Sequence, residues 1–581
     1  MPLVAAPEGD PGGTTVRSSY RLLAIAVAAA LLVGACAGST TPSPSSAASA
    51  GPVRGGTFIL ALWQEPVTLA PHYRNQTAAN VAARVVTEGL SRTDTDGNYL
   101  PVLAKQIPTT ANGGVKLTSD GKIDVTWELV PGLKWSDGDP VTSADIKFTW
   151  QVWMKDPNTV SRTGFDQIET IDTPNDTTAV IHYKTTYAAY QNNFTDGLIP
   201  KHLLENVPDI SKHDYNRKPI GTGPFKVTEF VAGDHITTER NPLYRLAGKP
   251  YLDKLIFKSV PSREVAVAQL KAGEIQGMWN LLEAQTPDLE KDAGIKMVIT
   301  PSPSVERIEM NTAKNQDMTD PVSVHPVLGD INVRRALIQA TPKQDLIDKL
   351  LFGKAKPGTS PVSQGWASPK SLTQEGYDPN KAKQLLDQAG WVAGSDGIRS
   401  KAGVRASLTI TTTTGDQTRE RVEQILIEQF KSVGVELKIQ NQPSSVLLSG
   451  SWSGGDPRKR GSFDLVMYAS SPAIDPHNTV FQRYYSKNIP SSANGGNGQN
   501  YTRFKNADAD KAIEEAGSTL DLEKRKAAYA KALQLLNEAA VIDWLYERAG
   551  IDAHRANVVG WQGNVWDNIT WNSEEWYLKP S

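Results

Sequence analysis

The sequence predicts an α/β protein of more than one lobe, on three observations. At 581 residues the chain exceeds what one hydrophobic core ordinarily serves, so two or three lobes are expected. Apolar segments of period 2 alternate with longer segments of helical period, the grammar of α/β architecture. Glycines stand where helical segments give way to strand-like ones, as terminators should.

The N-terminal part is read separately from the folded body. Arg17 and Arg21 form a basic flank, residues 22–33 are an uncharged run of Leu, Ala, Ile and Val, and Gly34-Ala35 precede Cys36. That order is the order of a secretory signal. The apolar run is 12 residues, whereas a bilayer-spanning helix takes roughly 20, so a permanent span is not expected. Val33-Gly34-Ala35-Cys36 is similar to a bacterial lipobox, which makes Cys36, the one cysteine of the chain, a candidate lipidation site. The alternative is an incidental cysteine beside an ordinary cleavage site. Residues 1–15 are acidic and contain Pro and Gly, unlike the start of such a signal, so translation is expected to begin near Val16. From 37 to 52 only Ala, Gly, Ser, Thr and Pro occur, a composition that buries no core and reads as a tether, roughly 55 Å fully extended and about 20–25 Å as a coil. The organisation expected is a signal over 1–35, a tether over 36–53 and a body from Arg54.

Within the body, Ile123, Val125, Trp127 and Leu129 alternate with Asp124, Thr126 and Glu128, predicting a strand that stops at Pro131-Gly132. Thr142 lies three residues before Asp145, a capping-box start, and Ile146, Trp150 and Trp153 follow at helical spacing as core residues. Ala382, Leu385, Leu386 and Ala389 share a helix face that ends at Gly390. Val422, Ile425, Leu426 and Phe430 form a second stripe, Gly434 ends it, and Val435, Leu437 and Ile439 alternate as a strand. Near the C-terminus, "DLEKRKAAYAKALQLLNEAAVIDWLYE" reads as a charged amphipathic helix running into an apolar, strand-like end.

Composition excludes several function classes. A formal net charge of -2 with 21% charged residues offers a polyanion nothing, so nucleic acid is not expected as partner. One cysteine allows neither an internal disulfide nor a thiolate metal cage. Gly450 to Gly454 reads GSWSG, with Trp452 where a nucleophile elbow needs Ser. The eight histidines form no H-E-x-x-H, and Gly221-Thr222-Gly223 lacks the Lys that a phosphate loop requires. Arg458-Lys459-Arg460 sits among Gly, Ser and Pro and reads as a solvated loop tip. No catalytic residue, cofactor or metal ligand is expected. Paired carboxylates for glycoside cleavage, at about 5.5 Å or about 6.5–9.5 Å, stay open because sequence gives no separations.

Several stretches occur in a fixed order: "RGGTFILALWQEPVTLAPH", "VVTEGLSRTDTDGNYLPVLAKQIP", "TWELVPGLKWSDGDPVTSADIKFTW", "KPIGTGPFKVTEFVAGDHITTERNPLY", "LKAGEIQG", "INVRRALIQATPKQDLID", "YDPNKAKQLLDQAGW" and "FDLVMYASSPAIDP". Together they resemble the family 5 extracellular solute-binding proteins, the peptide and nickel class, from about Arg54 onward. The resemblance implies a periplasmic binding protein-like fold of class II type, with two hinged lobes plus an extra domain. It assigns 54–91, 220–311 and 540–581 to the first lobe, 92–219 to the extra domain and 312–539 to the second lobe. It also implies capture of a small solute in the interlobe cleft and delivery to the permease subunits of an ABC importer, by a monomer held to the membrane through the lipid on Cys36. A tethered glycoside hydrolase and a sensory receptor are the alternatives.

By the same resemblance, Trp279 and Asn280, after "LKAGEIQG", face the cleft, and so do Tyr468, Ser470 and Ser471 after the strand "FDLVMYA". The peptide-binding branch carries Trp and then an Asp that pairs with the peptide's amino terminus. This chain has Tyr468, with Ser470 or Ser471 near the Asp position, which favours a hydroxyl-rich solute such as an oligosaccharide as an alternative to an oligopeptide. Asp475, in a general Asp-Pro, is a candidate contact or a turn residue, and Trp63 and Trp366 are further aromatic candidates. Trp135 and Asp137-Gly138 of the "WSDG" signature are read as structural. The departure at Ala340-Thr341-Pro342-Lys343 is read as a helix boundary.

Overall fold

The computed structural model describes residues 51–580 except 75, 314–322, 451, 453–454 and 471. The signal, Cys36, nearly all of the tether, and Ser471 lie outside the described residues. One sheet runs through the body. In spatial order its strands are Glu436–Ile439, Ser407–Thr411, Leu465–Ser470, Ile295–Met310, Ile542–Arg555, Gly277–Met278, Thr57–Leu62, Lys254–Ser259, His235–Arg240 and Phe225–Val231. Lys356–Pro357 pairs to the side of Ile542–Arg555. Parallel pairing is confined to two places. Thr57–Leu62 lies between Lys254–Ser259 and Gly277–Met278, and Ser407–Thr411 lies between Glu436–Ile439 and Leu465–Ser470. Parallel neighbours need a crossover; the helix Gln417–Val433 supplies it between Ser407–Thr411 and Glu436–Ile439, and the helix Arg263–Ala272 joins the two strands that flank Thr57–Leu62.

The helix Gln417–Val433 shows how the sequence sets these units. Asp416 caps its start by accepting from the Arg419 N–H at 3.1 Å. Val422, Leu426 and Phe430 face the core, and Gly434, at φ +94°, ends it in the left-handed conformation that a side chain resists. In the extra domain, Ile123–Glu128 sits in an antiparallel sheet with Val115–Leu117, Thr178–Tyr183 and Ile168–Asn175. The helix Ser143–Lys155 covers that sheet, and its capping box joins Thr142 to Asp145. Ile123, Val125, Trp127, Ile146 and Trp153 share one buried core, whereas Trp150 is half-buried and donates its indole N–H to the Phe165 carbonyl. Trp135 is buried in the same core, and residues 340–342 do separate two helices, Ile331–Gln339 and Lys343–Leu350.

The two long strands Ile295–Met310 and Ile542–Arg555 belong to both lobes. Ile295, Ile551 and Ala553 pack with Leu270 and Ile275, while Ile308, Met310, Leu545 and Tyr546 pack with Leu408, Leu426 and Phe430 of the second lobe. Between these halves the register slips from Pro301 opposite Ala549 to Val305 opposite Glu547. Pro301 and Pro303 cannot donate to the ladder, which breaks where they stand. The two cores therefore meet inside these strands, near 301–305 and 547–549. On the second-lobe side Glu306, fully buried, is held by Arg419 at 2.9 Å and by Arg548 of the other long strand at 3.6 Å.

Candidate functional site

A cavity of about 490 Å³ lies over this bend. Residues 300–303 and Gly550 and Asp552 contribute from the long strands, and the first lobe adds Arg74, Asn80, Arg84, Trp279, Asn280 and residues 564–569. The extra domain contributes Asp196, and the second lobe Pro472 and Ala473, just beyond the strand Leu465–Ser470. The cavity thus touches every part of the body that the bend would move.

Trp279 and Asn280 follow the strand Gly277–Met278. The Trp279 N–H donates to Ala61 O at 3.1 Å, and its ring stacks on Trp63 with centroids 6.2 Å apart. Asn280 has φ +60°, a conformation that Asn tolerates better than most side chains. Its carbonyl accepts from Arg263 Nε at 2.8 Å and its N–H donates to Asp552 Oδ1 at 2.9 Å. Asp552 is 2% exposed, and burial raises its carboxyl to about 7, opposed by the Asn280 N–H.

Two arginines line the same cavity. Arg84 pairs with Asp567 and donates to Thr195 O at 3.1 Å. Arg74 donates to Asp196 O at 2.6 Å, and its Nε is buried without a hydrogen-bond partner. Desolvation lowers the pKa of Arg74. The 564–570 segment is tied down by Asn564 to Thr93 O at 2.8 Å and by Thr570 to Val81 O at 2.7 Å.

The other residues expected at the site lie elsewhere. Trp63 backs Trp279, with the Arg263 guanidinium 4.2 Å over its ring, and is not part of the cavity lining. Trp366 packs edge-on to Tyr529 under Arg525. Tyr468 is buried. Its hydroxyl donates to Glu309 Oε1 at 2.8 Å and accepts from Arg483 at 3.1 Å, and Arg307 stands 4.2 Å over its ring. The Ser470 hydroxyl accepts from Arg307 Nη1 at 2.7 Å. Asp475 is engaged twice by Arg525, at 2.6 and 2.9 Å, and this pair reaches the extra domain through Asn192 and Ala188 O. Its charge is already matched. The Arg458 stretch is not a solvated tip either: it forms the short helix Pro457–Arg460, and Arg458 is buried against Asp456 and over Tyr468.

Asp552, Arg74, Arg84 and the 564–569 loop were not among the expected residues. The signal for Asp552 is weak, an acid between Ile551 and Ala553 in an otherwise apolar strand. That for the loop is stronger, since "NVWDN" sets Trp566 among polar residues with no apolar periodicity. Among the described residues no group of three or more His, Cys, Asp or Glu is placed to hold a metal ion, and no helix is long and apolar enough to cross a membrane.

The chain is 29% identical over 577 residues to the oligopeptide-binding protein AppA of Bacillus subtilis, covering 97% of this chain and 99% of that one. It is 26% identical to protein XP55 of Streptomyces lividans, over 90% and 89% of the two chains. The structure of B. subtilis AppA in complex with a nonapeptide superposes with a TM-score of 0.71 at 28% identity, over 91% of this chain and all of that one. NikZ of Campylobacter jejuni in complex with Ni(L-His) superposes at 0.73 and 25% identity, over 90% and 99%. These neighbours share the two-lobed class II architecture. The model of the middle region of bacterial extracellular solute-binding proteins, family 5, matches residues 98–492, and the chain belongs to that family of solute receptors serving ABC importers.

Proposed function

We propose that the chain is a lipid-anchored monomeric receptor that closes its lobes on one small solute, an oligopeptide or an oligosaccharide-like molecule, and passes it to the permease of an ABC importer without covalent chemistry. The observation that carries this reading is the cavity over the bend, lined by both lobes and the extra domain. Its volume falls in the range of small-molecule sites. The names of relatives support the solute class, since AppA is described as oligopeptide-binding.

Native mass spectrometry of the purified chain, followed by a thermal-shift panel of peptides, oligosaccharides and metal chelates, tests it. A bound solute, or a raised midpoint with one class, is expected. An empty cavity together with no response to any class overturns the reading, as does release of product from any panel member. Anchoring is tested in cells: Cys36→Ser is expected to move the protein from the membrane fraction to the soluble exported fraction. Retention in the membrane would overturn the anchor.

A further inference from the structure

Ten acidic residues are buried among the described residues. Seven have a basic side chain within ion-pair distance, as Asp475 has Arg525 and Glu306 has Arg419. Three have none: Asp145, Glu423 and Asp552. Asp145 caps a helix and accepts two backbone N–H groups, from Thr142 and Lys201, both at 2.8 Å. Glu423 accepts from the Asn441 amide at 2.8 Å inside the second lobe. Asp552 alone of the three lines the cavity. An ionised carboxylate out of water without a cation is costly, and this one is presented to the space a solute would fill.

The cavity also holds the converse group. Arg74 has no carboxylate within ion-pair distance among the described residues, and its buried Nε is without a partner. Among the charged groups of this cavity Arg84 and Asp567 neutralise each other and Asp196 is an exposed carboxylate that acts on Arg74 beyond ion-pair distance, which leaves Asp552 as the buried carboxyl with no cation and Arg74 as the guanidinium with no carboxylate in ion-pair contact.

We propose that Asp552, beside Trp279 and Asn280, is the counter-ion for a protonated amine on the captured solute, and that Arg74 receives its carboxylate, so that the solute is a short zwitterionic chain with both ends free. The inference rests on the cavity being the capture site. It supplies the ammonium partner that the Tyr468–Ser470 stretch lacks, from a different strand, and it selects against a neutral oligosaccharide. Asn280 acts as a positioning residue, because its left-handed backbone aims the N–H that holds Asp552 Oδ1.

The test uses the full chain with a library of tripeptides bearing free termini, the same library acetylated at the amino terminus, and maltotriose as a neutral probe. Native mass spectrometry selects the best binder and calorimetry measures it. Free peptides are expected to bind, and acetylation to weaken binding at least tenfold, about 1.4 kcal/mol. Asp552→Asn is expected to lose a similar factor for the free peptide and to discriminate less than threefold between free and acetylated forms. An undiminished melting midpoint of the empty variant shows that it folds. Arg74→Gln is expected to lose discrimination between the carboxylate and the carboxamide of the same tripeptide. Wild-type affinity in Asp552→Asn, or equal binding of acetylated peptides by the wild type, overturns the assignment. Binding of maltotriose with no tripeptide overturns it while leaving solute capture intact. Binding of no probe overturns it too, and solute capture falls with it only if the broader panel is also silent.

Discussion

Asp552 and Asp475 are both buried aspartates, but they differ in what answers their charge, and they should respond to substitution in opposite ways. Burial holds the Asp552 carboxyl at about 7, against about 3.9 in an unfolded chain. Between about pH 4 and pH 7 the empty folded protein keeps a proton that the unfolded chain has released, so stability falls as pH rises through that window. The contribution is on the order of 4 kcal/mol. The charged groups sharing the cavity are Arg74, Arg84, Asp196 and Asp567, and the group that resists the rise is the Asn280 N–H. Glu423, also raised to about 7, has the same sign, while His72 and His477, lowered to about 4, have the opposite sign below about pH 6.5. The measurement is therefore a difference. Urea unfolding of Asp552→Asn and wild type should show the variant gaining relative stability from pH 4 to 7 and then levelling, and a flat difference would mean that the carboxyl is solvated. Asp475→Asn should instead destabilise by about 3–5 kcal/mol, because it strands the Arg525 charge in the interior, and should leave solute affinity near that of wild type. Trp279 and Asn280 were legible because a motif precedes them. Asp552 was not, since an acid between two apolar residues in a strand reads as ordinary alternation, and only tertiary packing decides that both faces are covered.

At the scale of elements, local signals were read well where they act locally. The Thr142–Asp145 box, the Gly434 terminator and the Val422, Leu426, Phe430 stripe all stand where spacing placed them. The long strands were not legible. Pro301 and Pro303 argue against a strand by the usual rule, but here they interrupt one strand of 16 residues without ending it, because the partner Ile542–Arg555 continues past them. The 564–569 loop closes over the result, with Trp566 between Gly97 of the extra domain and Gly365 of the second lobe. A Cβ on Gly365 would stand 2.8 Å from Trp566 Cζ2, and one on Gly97 3.1 Å from Trp566 Nε1. Such approaches tie the cavity rim of one lobe to the other. Gly365→Ala should therefore press the lobes apart, an overpacking cost of about 1–3 kcal/mol that weakens solute binding roughly five- to hundredfold. Gly365 has φ +81°, so an alanine there is strained in its backbone as well as crowded. Shortening the indole in a Gly365→Ala, Trp566→Leu double variant separates the two effects. Recovery of part of the lost affinity is expected, and simple additivity of the two losses would show that the contact does not couple the lobes.

For the whole molecule, two cores share two long strands whose ladder breaks between them, and a solute can shift a hinged body only by binding one arrangement better than the other. A shift from a mostly open to a mostly closed population, 1:99 to 99:1, takes about 5.5 kcal/mol of differential affinity. Asp552 and Arg74 both stand on the first-lobe side, so they hold a charged solute in either arrangement, and the difference must come from what the other parts bring to it on closing, Asp196 from the extra domain and Pro472 and Ala473 from the second lobe. That one sheet passes through both cores was not legible, since strand neighbours far apart in sequence leave no local trace. The chain suits a direct measurement, as Cys36 is its one cysteine. With Cys36→Ser as background, Val67→Cys on the first lobe and Val392→Cys on the second place spin labels at positions 61% and 69% exposed. Pulsed electron-spin distance measurements should give a distribution that shortens on adding a binding tripeptide and stays unchanged with its acetylated form. Adding Asp552→Asn should leave the distribution at its solute-free value at peptide concentrations that saturate the parent protein. An unchanged distribution in the parent while calorimetry reports bound peptide would show that capture proceeds without lobe closure.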